Sequence, residues 1–233
     1  MTSDLRPGVE VAGSLGRYVP ARWGRVGFWA CIVISVAVVI RRVFAFAYPP
    51  HSAPPQLAAL DRAFASHATL TLAHIFPAFV FVVISPFVVF RTSSETVWPE
   101  RLLFPLGGVV GITAYAMSVD SVGGWLERSA VLLFDTLFLF SLFCAYRHRR
   151  RGELLLERRW MIRSIAILLG IATTRPVMGI FFATSHLTHL EPNQFFGIAF
   201  WIGFSINTLV VEFWLRSTDL QAQAEKTAIH RGC

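Results

Sequence analysis

The stretch SHATLTLAHIFPAFVFVVISPFVVF, Ser66 to Phe90, is an almost unbroken apolar run. It is long enough to cross a bilayer, since a spanning helix needs about 20 mostly apolar residues. It also carries His74 about two turns inside its first end. An ionisable side chain is costly to hold at that depth, and one that faces other helices marks a functional site. Whether other spans bring polar partners to the same level therefore decides how the chain is read.

Composition places the chain in a membrane. Of 233 residues, 55% are hydrophobic and 15% charged, against about 25% charged in average soluble domains. The net charge is +7, and Lys226 is the one Lys among 21 basic residues. The Arg residues cluster beside apolar segments, so they are expected to set topology rather than to bind nucleic acid. Cys31, Cys144 and Cys233 show neither the paired spacing of a metal or redox site nor a disulfide framework. The first apolar run begins near Val26 and is followed by Arg41 and Arg42, not by a small-residue cleavage site, so no cleavable signal peptide is expected.

Outward from Ser66–Phe90 the hydropathy predicts an all-α, six-span bundle. Spans are expected at about 26–48, 67–90, 102–119, 129–146, 161–183 and 195–215. Residues 1–25 read as a basic tail, 26–216 as the transmembrane domain and 217–233 as a polar C-terminal tail. Pro77 and Pro86 are expected to kink the second span, and Gly107, Gly108 and Gly111 to allow close helix approach in the third. Fifteen basic residues fall on the side of the two tails and of the 91–101 and 147–160 loops, against Arg62 and Arg128 on the other. By the positive-inside rule both termini are expected in the cytoplasm.

With a helical rise of about 1.5 Å per residue, five spans carry polar groups at about 6–12 Å beneath the outer face. These are Arg41 and Arg42, His74, Tyr115, Asp135 and Arg175. A carboxylate beside Arg regains much of its burial cost through charge-assisted hydrogen bonds, so mutual contact is favoured over exposure to lipid. Three Arg against one Asp suggest a cationic pocket for a polar or anionic head group. Asp135 and His74 are the candidate acid/base pair, and Arg41, Arg42, Tyr115 and Arg175 the candidate substrate-binding groups. The structural alternatives are an Arg reaching outer-leaflet phosphates, an Asp135–Arg175 pair that holds the bundle together, and a His74 bonded to a carbonyl.

The remaining polar residues carry less. His67 is expected at the outer interface, and Asp120 and Glu127, flanking a Gly–Gly turn, in solvent. His186 and His189 have a spacing that could bind metal on a helical turn, but without a third ligand they read as loop residues, and no metal site is expected. Glu212 is expected to pair with Arg159 or Arg163, and the Arg cluster at 147–151 to rest on anionic lipid. No phosphate-cradling glycine loop, nucleophile elbow or HExxH is present.

The segment ERRWMIRS, Glu157–Ser164, resembles a bacterial membrane-protein family, domain of unknown function 2306, over about residues 65–216. Family members have a His in an early span, the basic start Arg158-Arg159-Trp160-Met161-Ile162-Arg163 to a late one and an Arg further along it. Those positions correspond to His74 (or His67) and Arg175 here, and Trp201, Asn207 and Glu212 are similar to the family's last span. Many relatives carry His where this chain has Glu157. The resemblance implies a multi-pass protein of the bacterial inner membrane and supplies no reaction.

Function is then expected to centre on a lipophilic small molecule with a polar head, handled by proton transfer among membrane lipids. Alternatives are a b-type haem or quinone protein, a proton-coupled transporter, which would need to form a homodimer, and an assembly subunit. No cofactor is expected on the lead reading. A bis-His haem would require a second transmembrane His facing His74.

Overall fold

The computed structural model describes residues 20–47, 66–91, 98–119, 121, 123–184 and 192–231, with the side chains of the last helix described from Gln194 to Gln221. Among these residues the chain is helical: α1 (Arg22–Ala47), α2 (Ala68–Val89), α3 (Trp98–Ser118), α4 (Gly124–Arg150), α5 (Leu154–Leu168), α6 (Gly170–Ala183) and α7 (Pro192–Arg231). Six segments are long and apolar enough to span a membrane, with α5 and α6 together forming one of them, Leu154–Ala183. The surface is apolar where a soluble protein would be polar. Val33, Phe76, Ile112, Leu209 and Phe213 are all exposed, which is stable only against lipid. Exposed Trp23 and Trp98 mark one end of the bundle and Trp125 the other, the levels at which amphipathic rings settle.

Inside hydrocarbon every freed backbone group must find a partner within the protein. Pro86 cannot donate to the carbonyl of Val82 four residues earlier, and the hydroxyl of Ser85 donates to that carbonyl instead, at 2.8 Å. The fifth span is interrupted at Leu169, between α5 and α6. The carbonyl of Ala166, just before the break, receives the Asn207 side-chain amide of α7 at 3.3 Å, while Thr173 donates to the Asn207 carbonyl at 2.6 Å.

Helix spacing follows the small residues. A side chain at Gly203 would meet the backbone of Thr174 at 2.7 Å, and one at Gly197 the backbone nitrogen of Glu127 at 2.8 Å. α7 therefore lies directly on α6 and α4. In α3, Gly107 and Gly111 press on α4 side chains while Gly108 meets nothing. Phe81, Leu103, Phe138, Met161 and Ile165 are fully enclosed where α2, α3, α4 and α5 meet.

At the Arg-rich end Arg147, Arg150 and Arg151 are exposed, and the basic residues that follow them are placed differently. Arg158, outside the 147–151 cluster, is 1% exposed. It donates to the carbonyls of Arg91 (2.5 Å) and Val89 (2.9 Å), closing the end of α2. Arg91 pairs with Glu100 of α3, both buried, and Arg149 pairs with the buried Glu157 at 2.7 Å. Each of these two buried carboxylates thus anchors one guanidinium, while Arg158 is held by backbone carbonyls. The other basic pairs lie at the α5–α7 contact. Arg163 binds Glu212 at 2.9 Å and Arg216 shares it, whereas Arg159 binds Asp219 at 2.5 Å rather than Glu212. That geometry exists because α7 continues as one helix through 217–231, where the sequence suggested only a polar tail.

Removing a buried hydrogen-bonded charge leaves its partners unpaired at a cost of roughly 3 kcal/mol. Arg158→Met is therefore expected to lower denaturant stability in detergent by about that amount, while Phe213→Ala on the lipid-facing surface changes it by less than about 0.5 kcal/mol. Equal effects would contradict the role given to Arg158.

Candidate functional site

All seven helices contribute side chains to one cavity of about 250 Å³. Its wall is mainly apolar and strongly aromatic, with Phe79, Phe134, Phe138, Phe196, Phe200 and Phe204 among the lining residues. The last three follow one another at single-turn spacing along α7, with ring centroids 5.5 and 5.8 Å apart. Phe134 of α4 stacks on Phe204 at 5.3 Å.

Five ionisable side chains line the same space: Arg42, His74, Glu127, Asp135 and Arg175. Four of them were expected from the sequence to converge. They lie at different distances from the ends of their own helices. Counted along each helix from the shared end, Glu127 is about 5 Å in, Arg42 about 8 Å, His74 about 9 Å, Arg175 about 12 Å and Asp135 about 16 Å. The sequence placed Asp135 shallower because α4 begins at Gly124, five residues before the expected start of that span.

The polar atoms differ in how they are satisfied. His74 Nδ1 lies 2.9 Å from Thr113 Oγ1 and 3.2 Å from the Val110 carbonyl. The Thr113 hydroxyl itself donates to the Val109 carbonyl at 2.7 Å. Nδ1 is therefore the donor, which fixes the tautomer and leaves Nε2 as an acceptor. Glu127 accepts from the Gly123 backbone nitrogen at 2.6 Å. By contrast Asp135 Oδ2, Arg175 Nε and Ser35 Oγ are buried with no hydrogen-bond partner among the described residues, and all three side chains line the cavity. A buried polar atom left unpaired costs about 1–3 kcal/mol, and in native proteins such groups cluster where water or a ligand completes the bonding.

Three expectations are corrected. Arg41 is exposed and does not line the cavity, though its charge and that of Arg42 act on Arg175. Tyr115 points its hydroxyl to Thr136 of α4 at 2.6 Å and is likewise outside the lining. Glu127, expected in solvent, is 8% exposed and its charge acts on Arg175. The lining thus holds two Arg and two carboxyl groups, not the one-sided cationic set that the sequence suggested.

His67 is exposed at the start of α2, bonded to Ser66, and His148 pairs with Glu153 at the opposite end. Neither lines the cavity. Asp120, His186 and His189 lie outside the described residues. Among the described residues no three His, Cys, Asp or Glu side chains are placed to hold a metal ion.

Residues 71–215 match the family described as a predicted membrane protein, domain of unknown function 2306. The chain belongs to this family. The matched segment includes every lining residue except those of α1, among them Ser35 and Arg42. No curated protein and no solved structure matches the chain significantly.

Replacing a buried carboxyl that lacks a partner with an apolar group of similar size removes its desolvation cost. Asp135→Leu is expected to stabilise detergent-washed protein by about 1–3 kcal/mol in denaturant unfolding. A loss of stability would mean that a partner holds the carboxylate.

Proposed function

We propose that this integral membrane protein binds a lipophilic molecule by its polar head in the central cavity and exchanges protons with that head. The observation that carries the reading is the set of unpartnered buried atoms, Asp135 Oδ2 and Arg175 Nε, in one aromatic-lined cavity. A few convergent polar groups in an otherwise apolar pocket are the usual mark of a small-molecule site.

The roles follow from the geometry. His74 is locked by α3 through Nδ1, so Nε2 is the base or acceptor. Asp135 is the deeper proton acceptor or donor. Arg175, which lines the cavity together with Glu127, and Arg42 nearer the helix ends hold developing negative charge on the head, as preorganised donors do in a water-poor site. Arg41 contributes field rather than contact, and Tyr115 ties α3 to α4. The excess of basic residues around the α4–α5 junction and the two tails supports cytoplasmic termini. The cavity then lies toward the outer face of a bacterial inner membrane.

Protein purified from native membranes is expected to carry a lipophilic compound recoverable by organic extraction and mass spectrometry. Asp135→Asn and His74→Ala should each reduce its occupancy about tenfold, the equivalent of one charge-assisted hydrogen bond. Identical extracts from wild type and both variants would overturn the reading.

A further inference from the structure

We infer that the head group taken by this cavity is uncharged and planar and, in its reduced form, able both to donate and to accept hydrogen bonds, the chemistry of a lipophilic quinol and the quinone derived from it. The inference rests on the binding reading above and narrows the ligand.

Charge balance is the first argument. An anionic head would be attracted by Arg42 and Arg175 but would be held beside Glu127 and Asp135, all four of which line the cavity. A cationic head would meet the reverse problem. Like charges brought together in a low-dielectric site repel strongly, so a balanced lining selects against both. An uncharged head escapes each penalty.

The second argument is complementarity. The unpartnered buried atoms whose side chains line the cavity are an acceptor, Asp135 Oδ2, a donor, Arg175 Nε, and a hydroxyl, Ser35 Oγ, that can be either. His74 adds an acceptor at Nε2, because Nδ1 is committed to α3. A ligand that only accepts, such as the quinone, is matched when Asp135 carries the proton and donates it. One that also donates, such as the quinol, is matched when Asp135 is ionised, and one that only donates would leave Arg175 unsatisfied. Ring hydroxyls meet Asp135 and His74; ring carbonyls meet Arg175.

Shape is the third. Phe196, Phe200 and Phe204 make a continuous aromatic wall, and Phe134 stacks on it. A flat ring can lie against such a wall in offset stacking. The volume of about 250 Å³ exceeds the roughly 150 Å³ of an engineered apolar cavity that accepts benzene. A substituted ring with the first carbons of its tail is therefore accommodated.

The test is calorimetric titration of the full-length protein in detergent with four probes of equal tail length: a decyl benzoquinone, its quinol, decyl phosphate and decylammonium. The quinone and quinol are expected to bind at least about tenfold tighter than the two charged probes. Asp135→Asn should weaken the quinol about tenfold and the quinone less, and Arg175→Gln the reverse. Ser35→Ala, a small change on α1, should weaken both by a few-fold and supports the assignment should either charged-residue variant fail to fold. Decyl phosphate or decylammonium binding as tightly as the quinol would overturn the uncharged head while leaving the cavity reading intact. Failure of both quinone forms to bind would overturn the ligand class. The extraction experiment, which needs no added probe, decides separately whether the cavity holds a molecule at all.

Discussion

In a medium without water, a backbone carbonyl or a side-chain nitrogen is satisfied by the protein or by something the protein binds. That constraint orders this molecule. Where proline frees a carbonyl in α2, a neighbouring serine takes it. Where the fifth span breaks, an asparagine reaches across from α7. Where α2 ends, a fully buried arginine closes its last carbonyls. The Arg-rich end is anchored by such contacts, although Glu100 Oε2 and Glu157 Oε2 there are also buried without a hydrogen-bond partner among the described residues. The same chain that satisfies these scattered backbone groups leaves a carboxylate oxygen, a guanidinium nitrogen and a hydroxyl buried without protein partners among the described residues, all in one space. What sets these three apart from the carboxylates of the ion pairs is the open space that their side chains line.

The family motif divides along the same line. In Arg158-Arg159-Trp160-Met161-Ile162-Arg163, the first arginine caps α2, the second and the last pair with acids on α7, and Arg163 also sits 4.6 Å from the Trp160 ring. Trp160 packs against Phe140 of α4, and Met161 is fully enclosed. Each charge in the run meets a specific partner. The motif is thus an assembly device that fixes α5 against α2, α4 and α7, and so holds the far ends of the helices whose other ends carry His74, Asp135 and Arg175.

Six spans were legible because an uncharged apolar run of bilayer length can be stable in water only if wholly buried, and a chain of this size cannot bury six. The convergence of His74, Asp135, Arg175 and Arg42 was legible because polar residues stranded inside such runs seek each other. Glu127 was not recognised because a carboxylate beside a Gly–Gly turn ordinarily meets water. Its signal was position: an acid in the first turn of α4 can reach back to the backbone nitrogen preceding the helix, as capping residues do, and Gly197 brings α7 over it. The Arg159–Asp219 pair was hidden by ending the last span too early. Once the helix continues, Glu212 and Asp219 fall seven residues apart on one face, opposite Arg163 and Arg159. Arg158 shows no such signal, because nothing in a run of consecutive basic residues distinguishes the one that turns inward.

The unbroken course of α7 has a mechanical consequence. Forty residues without a proline after the first make a stiff rod about 60 Å long. Its upper part presents Phe196, Phe200 and Phe204 to the cavity, and its lower part is clamped to α5 through Glu212 and Asp219. A rod cannot yield at one point alone. The aromatic wall is thus carried by a helix that is seated on α6 at Gly203 and tied at its far end by the Arg159–Asp219 and Arg163–Glu212 pairs, so the ion pairs help to fix where that wall stands.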